Sequence, residues 1–219
     1  MQSSANSKEK ILKKIRKALI HKSPREMADV DTESEIFTSS EDPLEIQFAQ
    51  NLSSLNGKFI FCENENEFIE NFVFIAKDNE WSTIFCLEPS IKNLLNKGKI
   101  KFSDKETDLL KTDIGLTLCE CLIARTGSVV ITSKQASGRR LPVYANIHIV
   151  VAYTSQLVYN IKDALKNIRE KYNGQLPSMI STITGPSKTA DIEKTLVQGA
   201  HGPKEIFVFL IDDVIPAVD

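Results

Sequence analysis

The sequence is poor in cysteine and contains no long apolar run. Its 219 residues include four cysteines, three of which lie inside short apolar runs where a thiol acts as a small hydrophobe, so no disulfide is expected. No stretch approaches the ~18 continuous apolar residues of a membrane span. Residues 1–10 lack an apolar run followed by a small-residue cleavage site. We therefore expect a cytoplasmic protein that does not enter a membrane.

The cysteine spacing also argues against a metal site. Cys119 and Cys121 form the closest pair, with one residue between them. Zinc and iron–sulfur sites usually have two residues between paired cysteines, or further ligands. We predict no metal site and no intrinsic cofactor.

An excess of positive charge is absent as well. Lysine and arginine number 27 against 29 acidic residues, giving a net charge of -2, which disfavours nucleic acid as a partner. Hydrophobic residues make up 42% and charged residues 26%, the ordinary balance of a protein that fills a core. The length fits one globular domain with an additional arm.

The arm is predicted at the amino end. Residues 7–21 have the apolar spacing of an amphipathic helix, with lysine and arginine around the stripe. The stripe lacks Trp and Phe, which favours packing on the body or in a homo-oligomer over binding to a membrane surface. Residues 22–42 are polar and aperiodic, so we divide the chain into an arm and connector (1–42) and a compact domain (43–219).

Within the compact domain, short apolar runs alternate with helical patterns. Residues 59–62 and 84–87 resemble strands, and residues 67–77 and the segment after Ser90 resemble helices, which indicates a parallel sheet. Residues 121–124 and 129–132 flank a turn through Gly127 and predict an antiparallel hairpin.

The last third of the chain predicts a βαβαβ order. Its elements are a buried strand (147–152), a helix capped by Thr154 or Ser155 that carries Leu157 to Ile168, a strand (179–183), a helix from Thr189 to about Gln198, and a final strand (206–211). This order is typical of a doubly wound α/β sheet.

The loop Gly185-Pro186-Ser187-Lys188-Thr189 is the main candidate for a ligand site. In this topology it lies at the carboxyl edge of the sheet, before a helix whose free N–H groups favour an anion. A plainer interpretation is that Thr189 is the helix N-cap and Asp191 complements the helix dipole. Walker A requires glycine where Thr182 and Ser187 stand, so a nucleotide triphosphatase is excluded.

Two further groups carry chemistry. Arg139 and Arg140 offer forked donors for a carboxylate or phosphate, although such a pair is more often a solvated loop. His201 follows the helix predicted from Thr189, which places it at the edge opposite Ser187 and makes it a turn residue. No complete catalytic set is assembled on one edge.

Several motifs resemble a known family. They are Gly185-Pro186-Ser187-Lys188-Thr189-Ala190-Asp191-Ile192-Glu193, Leu196-Val197, Gly199, His201-Gly202-Pro203, Thr126-Gly127-Ser128, Arg139 or Arg140, Pro142 and His148. In this order they resemble the lactate-utilisation protein C family, the LUD domain, over about residues 43–213. Arg125 stands where relatives often have an acidic residue, so an acid/base role does not carry over to it.

The resemblance implies a fold shared with glucosamine-phosphate deaminases, ribose-phosphate isomerases and coenzyme A transferases. It also implies a non-redox part in oxidising L-lactate to pyruvate, with iron–sulfur clusters in two partner proteins. The expected ligand is a small carboxylate or phosphate, bound by the Thr126 turn, the two arginines and the Gly185 loop. The alternative is a free-standing enzyme for a phosphorylated or coenzyme A-linked substrate, with Glu120 as the candidate nucleophile.

Overall fold

The structure, a computed structural model, describes residues 7–20, 41–190, 196–199 and 201–213. The chain divides into two compact units, residues 1–39 and 40–219. The first contains helix α1 (Ser7–Ile20), which confirms the predicted amphipathic helix, and its apolar residues Ile11 and Ile15 are exposed. None of the described helices is long and apolar enough to cross a membrane.

The second unit alternates helices and strands. Its helices are α2 (Leu44–Ser54), α3 (Glu65–Asp78), α4 (Pro89–Lys97), α5 (Leu141–Tyr144) and α6 (Ile161–Lys171). Its strands are β1 (Lys58–Cys62), β2 (Ile84–Cys86), β3 (Ile114–Leu118), β4 (Cys121–Ile123), β5 (Ser128–Thr132), β6 (Ile147–Tyr153), β7 (Leu157–Val158), β8 (Ile180–Ile183), β9 (Lys188–Ala190), β10 (Leu196–Gln198) and β11 (Glu205–Ile211).

Five parallel strands form the central sheet, in the order β1-β11-β6-β3-β2. The middle strands β6 and β11 are apolar along almost their whole length because both faces of the sheet are covered. This arrangement confirms the predicted α/β class with a mostly parallel sheet flanked by helices.

Helices α3 and α4 cover one face of the central sheet. Asn64 begins α3 by accepting hydrogen bonds from the amides of Asn66 (2.9 Å) and Glu67 (3.0 Å). The helix then buries aromatic side chains against the sheet, and the rings of Phe68 and Phe209 meet edge to face at 5.2 Å.

A second sheet and α2 cover the other face. This sheet has the order β7-β4-β5-β8, and β4 pairs with β5 in the antiparallel hairpin that the turn at Gly127 predicts. Side chains of α2 and the second sheet pack on the central sheet in one cluster, while α6 covers the outer side of the hairpin. The layers are therefore α3 and α4, the central sheet, the second sheet together with α2, and α6.

The helix predicted after Thr154 starts later than expected. Leu157 and Val158 form β7, which pairs with β4, and α6 begins at Ile161. Asn160 is the N-cap, because its side chain accepts from the Ile161 amide (2.7 Å) while its own amide donates to Asp163 (3.1 Å).

The helix predicted from Thr189 to Gln198 is wrong where the structure describes these residues. Residues 188–190 and 196–198 form strands β9 and β10, paired antiparallel with Lys188 opposite Gln198. The preceding strand β8 is also not in the parallel sheet, because it pairs antiparallel with β5. The antiparallel pairing therefore brings Gln198 back beside Lys188, whereas a helix would have carried the chain away from it.

Candidate functional site

A cavity of ≈ 210 Å³ opens beside β8 and the loop that follows it. Residues from α5, β5, β8 and two loops line it: Ile131, Arg139, Pro142, Val143, Met179, Ser181, Thr182, Ile183, Gly185, Ser187, His201, Gly202 and Pro203. We call this space the Ser187 cavity. It brings together three of the residues that the sequence proposed for ligand binding, Arg139, Gly185 and Ser187.

The β9–β10 hairpin explains why His201 and Ser187 share the cavity. The Ser187 carbonyl accepts a hydrogen bond from the Gly199 amide (2.9 Å), and the Ser187 amide donates one to the Pro203 carbonyl (2.9 Å). Gly202 packs directly on Ser187, where an added Cβ would lie 3.1 Å from the Ser187 Cβ. The prediction that His201 lies at the opposite edge is therefore wrong, because a hairpin returns the chain and a helix would not.

The cavity lies at the amino ends of two central strands. Pro142 and Val143 belong to α5, which is separated from β6 by two residues, and Pro203 lies two residues before the start of β11. The Lys204 amide donates to the Asn146 carbonyl (2.7 Å), which ties these two strand starts together. The expected position of the Gly185 loop, at the carboxyl edge of the parallel sheet, is thus also wrong.

The charge around the cavity favours an anion. Arg139 supplies a guanidinium that donates to the Ser178 hydroxyl (2.6 Å), and the exposed imidazole of His201 reaches the same space. None of the described residues that line the cavity is acidic. A forked guanidinium with neighbouring hydroxyls is suited to a carboxylate or phosphate.

The two neighbouring arginines point to different partners. Arg140 forms an ion pair with Glu106, both side chains being largely exposed, and it does not line the Ser187 cavity. Arg139 and Arg140 are thus equivalent in sequence but separated by the structure.

The Thr126 turn is tied to α2 and to the Gly185 loop. Hydroxyl groups of Thr126, Ser128 and Thr184 form a chain, with 2.7 Å between the first two and 2.8 Å between the last two. Gly127 has a φ of 59°, and a Cβ there would lie 2.4 Å from the Leu52 amide nitrogen in α2. Neither residues 126–128 nor Thr184 line the cavity, so the turn is joined to the loop before Gly185 but does not reach the cavity itself.

The remaining candidates lie along the same loop. Gly185 has a φ of 79° and, like Pro186, is buried. Thr189 lies on β9 opposite Val197, so it is not a helix N-cap. Asp191 lies outside the described residues.

Glu120, the candidate nucleophile, is fully engaged. Its side chain is 2% exposed and accepts hydrogen bonds from Lys171 (2.6 Å), Tyr172 (2.6 Å) and Thr132 (2.8 Å). Burial raises the pKa of this carboxyl, but the hydrogen bonds from Lys171, Tyr172 and Thr132 outweigh it, so the net pKa is lowered. Attack on a substrate would require this carboxylate to give up its partners first.

His148 is buried inside the central sheet. Its Nε2 lies 2.8 Å from the Thr117 hydroxyl, while its Nδ1 has no hydrogen-bond partner among the described residues. Burial lowers the pKa of this imidazole from 6.5 to about 4, so it is neutral at pH 7. The His148 side chain is therefore part of the buried interior at β6.

The fold defines an α/β protein with a five-stranded parallel sheet. Comparison with known families shows to which family of such proteins the chain belongs. Residues 46–211 match the family model described as the LUD domain, so the chain belongs to the LUD domain family. A crystal structure of a DUF162 family protein from Deinococcus radiodurans is similar in fold, with a TM-score of 0.55 and 16% identity over 77% of this chain and 96% of that one.

Two similar proteins carry a descriptive name. The chain is 33% identical over 130 residues to Lactate utilization protein C of Shouchella clausii, covering 59% of this chain and 56% of that protein. It is 36% identical over 105 residues to Lactate utilization protein C of Bacillus subtilis, covering 47% and 44%. The chain thus spans about half the length of the curated relatives that it matches.

Sequence reasoning missed His201, Gly202 and Pro203 as part of the site. A signal was present in Thr189 and Val197, which are β-branched residues placed where a hairpin, more than a helix, would use them.

Proposed function

We propose that the chain is a non-redox component of an L-lactate utilisation system and that the Ser187 cavity binds a small carboxylate, such as lactate or pyruvate. The observation that carries the proposal is the meeting of Arg139, Ser187 and His201 around one cavity with no acidic residue among its described lining. The names of the similar proteins from Shouchella clausii and Bacillus subtilis support the choice of lactate.

The size of the cavity supports a ligand of few atoms. Its volume of ≈ 210 Å³ is below the roughly 300–1,000 Å³ that is typical of sites for drug-sized molecules. A three-carbon acid needs little space, whereas a coenzyme A thioester would extend far outside. The proposal therefore favours a free carboxylate over a coenzyme A-linked substrate.

The residues suggest how such a ligand is held. In the structure, Arg139 donates a hydrogen bond to the Ser178 hydroxyl. A carboxylate is a stronger acceptor because it is charged, so it replaces Ser178 as the partner of the guanidinium. The Ser187 hydroxyl and the His201 imidazole are then free to bind the oxygen on the second carbon. In this proposal the chain positions a carboxylate, and the oxidation itself takes place in iron–sulfur partner proteins.

The neighbouring arginines provide a matched test of binding. Isothermal titration calorimetry should detect binding of L-lactate or pyruvate to the full chain. Arg139→Gln should weaken it at least about 10-fold, or about 1.4 kcal/mol, because it removes the charged fork. Arg140→Gln, which removes an equal charge at an exposed pair with Glu106, should change the affinity less than twofold. A failure of the unmodified chain to bind either acid would contradict the proposal.

The part in lactate utilisation needs a test in cells. Deletion of the gene should abolish growth on L-lactate, and the unmodified chain but not Arg139→Gln should restore it. A tagged chain should co-purify with proteins whose absorption spectra show iron–sulfur clusters. Normal growth of the deletion strain on L-lactate would exclude this role.

A further inference from the structure

In the part of the chain that the structure describes, strand β1 is a free edge of the central sheet. It lies at the end of the strand order and, among the described residues, forms a ladder with β11 alone. The outer side of β1 therefore presents backbone N–H and C=O groups that a further strand can pair with.

Exposed apolar side chains surround this edge on both faces. Ile46 of α2 and Phe61 of β1 are 47% and 43% exposed, and they line a cleft of ≈ 570 Å³ between the helix and the strand. On the other face, Asn71 of α3 donates to the Cys62 thiol of β1 (3.7 Å), and Phe74, one turn further along the same flank, is 71% exposed. Apolar groups grouped in this way mark an interaction surface.

The edge also lacks the usual protection against pairing. Monomeric proteins place charged residues, proline or bulges on such strands. In β1 the single charged residue is Lys58, at its start, and it is occupied by an ion pair with Glu205 (2.5 Å). The remaining residues of β1 are apolar or cysteine.

We propose that the partner of this edge is a second copy of the chain, paired antiparallel with β1 about a two-fold axis through Ile60. The strand is self-complementary in this register, because Phe59 of each copy lies opposite Phe61 of the other. The two central sheets join into one of ten strands. This inference is independent of the proposed function, since no residue of β1 lines the Ser187 cavity.

Charge complementarity favours this orientation. Antiparallel pairing places Lys58 of one copy opposite Cys62 of the other, where the acidic start of α3 lies. The Glu67 carboxylate at that point accepts a hydrogen bond from the Glu63 amide (2.6 Å). A parallel arrangement would instead place Lys58 beside Lys58 and Glu63 beside Glu63.

The register has a direct test by cross-linking. Ile60 lies on the proposed axis, so Ile60→Cys places two thiols opposite each other at a Cα distance of about 4.5–5.5 Å, within reach of a disulfide. Mild oxidation should convert most of the full chain to a covalent dimer on a non-reducing gel. Phe61→Cys is the control, because its thiols would be diagonal, about 7–8 Å apart, and should not link. Equal linking of both variants, or of neither, would overturn the proposal.

The dimer itself is tested by sedimentation velocity. The unmodified chain should sediment as a dimer, and Phe61→Lys should raise the dimer dissociation constant at least about 100-fold by placing two lysines in the interface. Leu110→Lys is a matched control at another exposed apolar residue and should leave it unchanged. Ile15→Lys in α1 should also leave it unchanged. Circular dichroism checks the folding of each variant.

A monomeric unmodified chain, or a dimer that Phe61→Lys does not weaken, would overturn the proposal. Dissociation caused by Ile15→Lys would overturn it as well and would assign the interface to α1.

Discussion

Ser187 and Pro203 are joined by a hydrogen bond of 2.9 Å from the Ser187 amide to the Pro203 carbonyl. This bond closes the loop that contains the β9–β10 hairpin and places His201 beside Ser187 in one cavity. The Ser187 cavity is thus created by a pairing of backbone groups distant in sequence.

Replacing Gly202 should block the cavity. In Gly202→Val the new side chain begins 3.1 Å from the Ser187 Cβ and extends into the space, so carboxylate affinity should fall at least about 10-fold with a stability loss of about 1–3 kcal/mol. Calorimetric titration and urea unfolding measure the two effects. Gly174→Ala is the control, because Gly174 has a φ of 78° and none of the residues that the structure describes comes within 4 Å of an added Cβ there. It should lose about 1 kcal/mol of stability and keep its affinity.

Gly127 and Gly138 form a matched pair for the packing of α2. Both have a φ of 59°, but a Cβ at Gly127 would lie 2.4 Å from the Leu52 amide nitrogen, whereas no atom of the described residues lies within 4 Å of one at Gly138. Gly138→Ala should cost about 1–2 kcal/mol from backbone strain alone. Gly127→Ala should cost about 1–3 kcal/mol more because helix α2 must move. Equal losses in urea unfolding would show that the contact with α2 does not matter.

The buried imidazole of His148 should make stability depend on pH. Its pKa is about 4 in the folded protein and 6.5 when exposed, so between these values the unfolded chain binds a proton that the folded one does not. Stability should therefore fall as the pH decreases from 6.5 to 4, by about 3 kcal/mol in total, and be unaffected above 7. Urea unfolding across this range should give a flatter curve for His148→Gln. Parallel curves for the two proteins would refute the assignment.

Glu120 should prove structural. The unfolded chain binds a proton near pH 4.5, whereas the folded carboxyl has a lowered pKa, so its stabilisation is present above 4.5 and is lost as the pH falls below it. Glu120→Gln should cost about 1–3 kcal/mol at pH 7, and this difference should shrink in acid. A coenzyme A transferase would behave differently: given an acyl-coenzyme A, the unmodified chain would release the free acid and keep coenzyme A as a thioester at Glu120, which borohydride would then trap by reduction. We expect no trapping.

The sequence predicted the parts of the fold that depend on local pattern. Strands β1, β6 and β11 were evident as short apolar runs, and the β4–β5 hairpin followed from Gly127 between two such runs. The resemblance of the chain to the LUD domain family was evident from motifs of fixed spacing, and the match of the family model over residues 46–211 agrees with it.

Strand β7, the antiparallel pairing of β8 and the β9–β10 hairpin were not predictable in the same way. Leu157 and Val158 fit the apolar spacing of the helix that follows them. They form a strand because their backbone pairs with the edge of β4. Likewise, residues 188–190 and 196–198 form a hairpin that is held by contacts with Pro203 and Lys204, which lie beyond it in the chain. Tertiary contacts of this kind override local propensity, and they moved His201 into the site.

The position of β11 has a consequence for the order of folding. This strand, near the end of the described chain, is inserted between β1 and β6, so β1 has no neighbour in the central sheet until residues 205–211 have been synthesised. A nascent chain that has not reached Glu205 would leave β1 unpaired and the β6 edge of the strands β6-β3-β2 exposed, and both are apolar. These apolar edges are prone to aggregation until residues 205–211 have emerged, and chaperones that hold exposed strands should therefore matter most for this protein before β11 is available to pair.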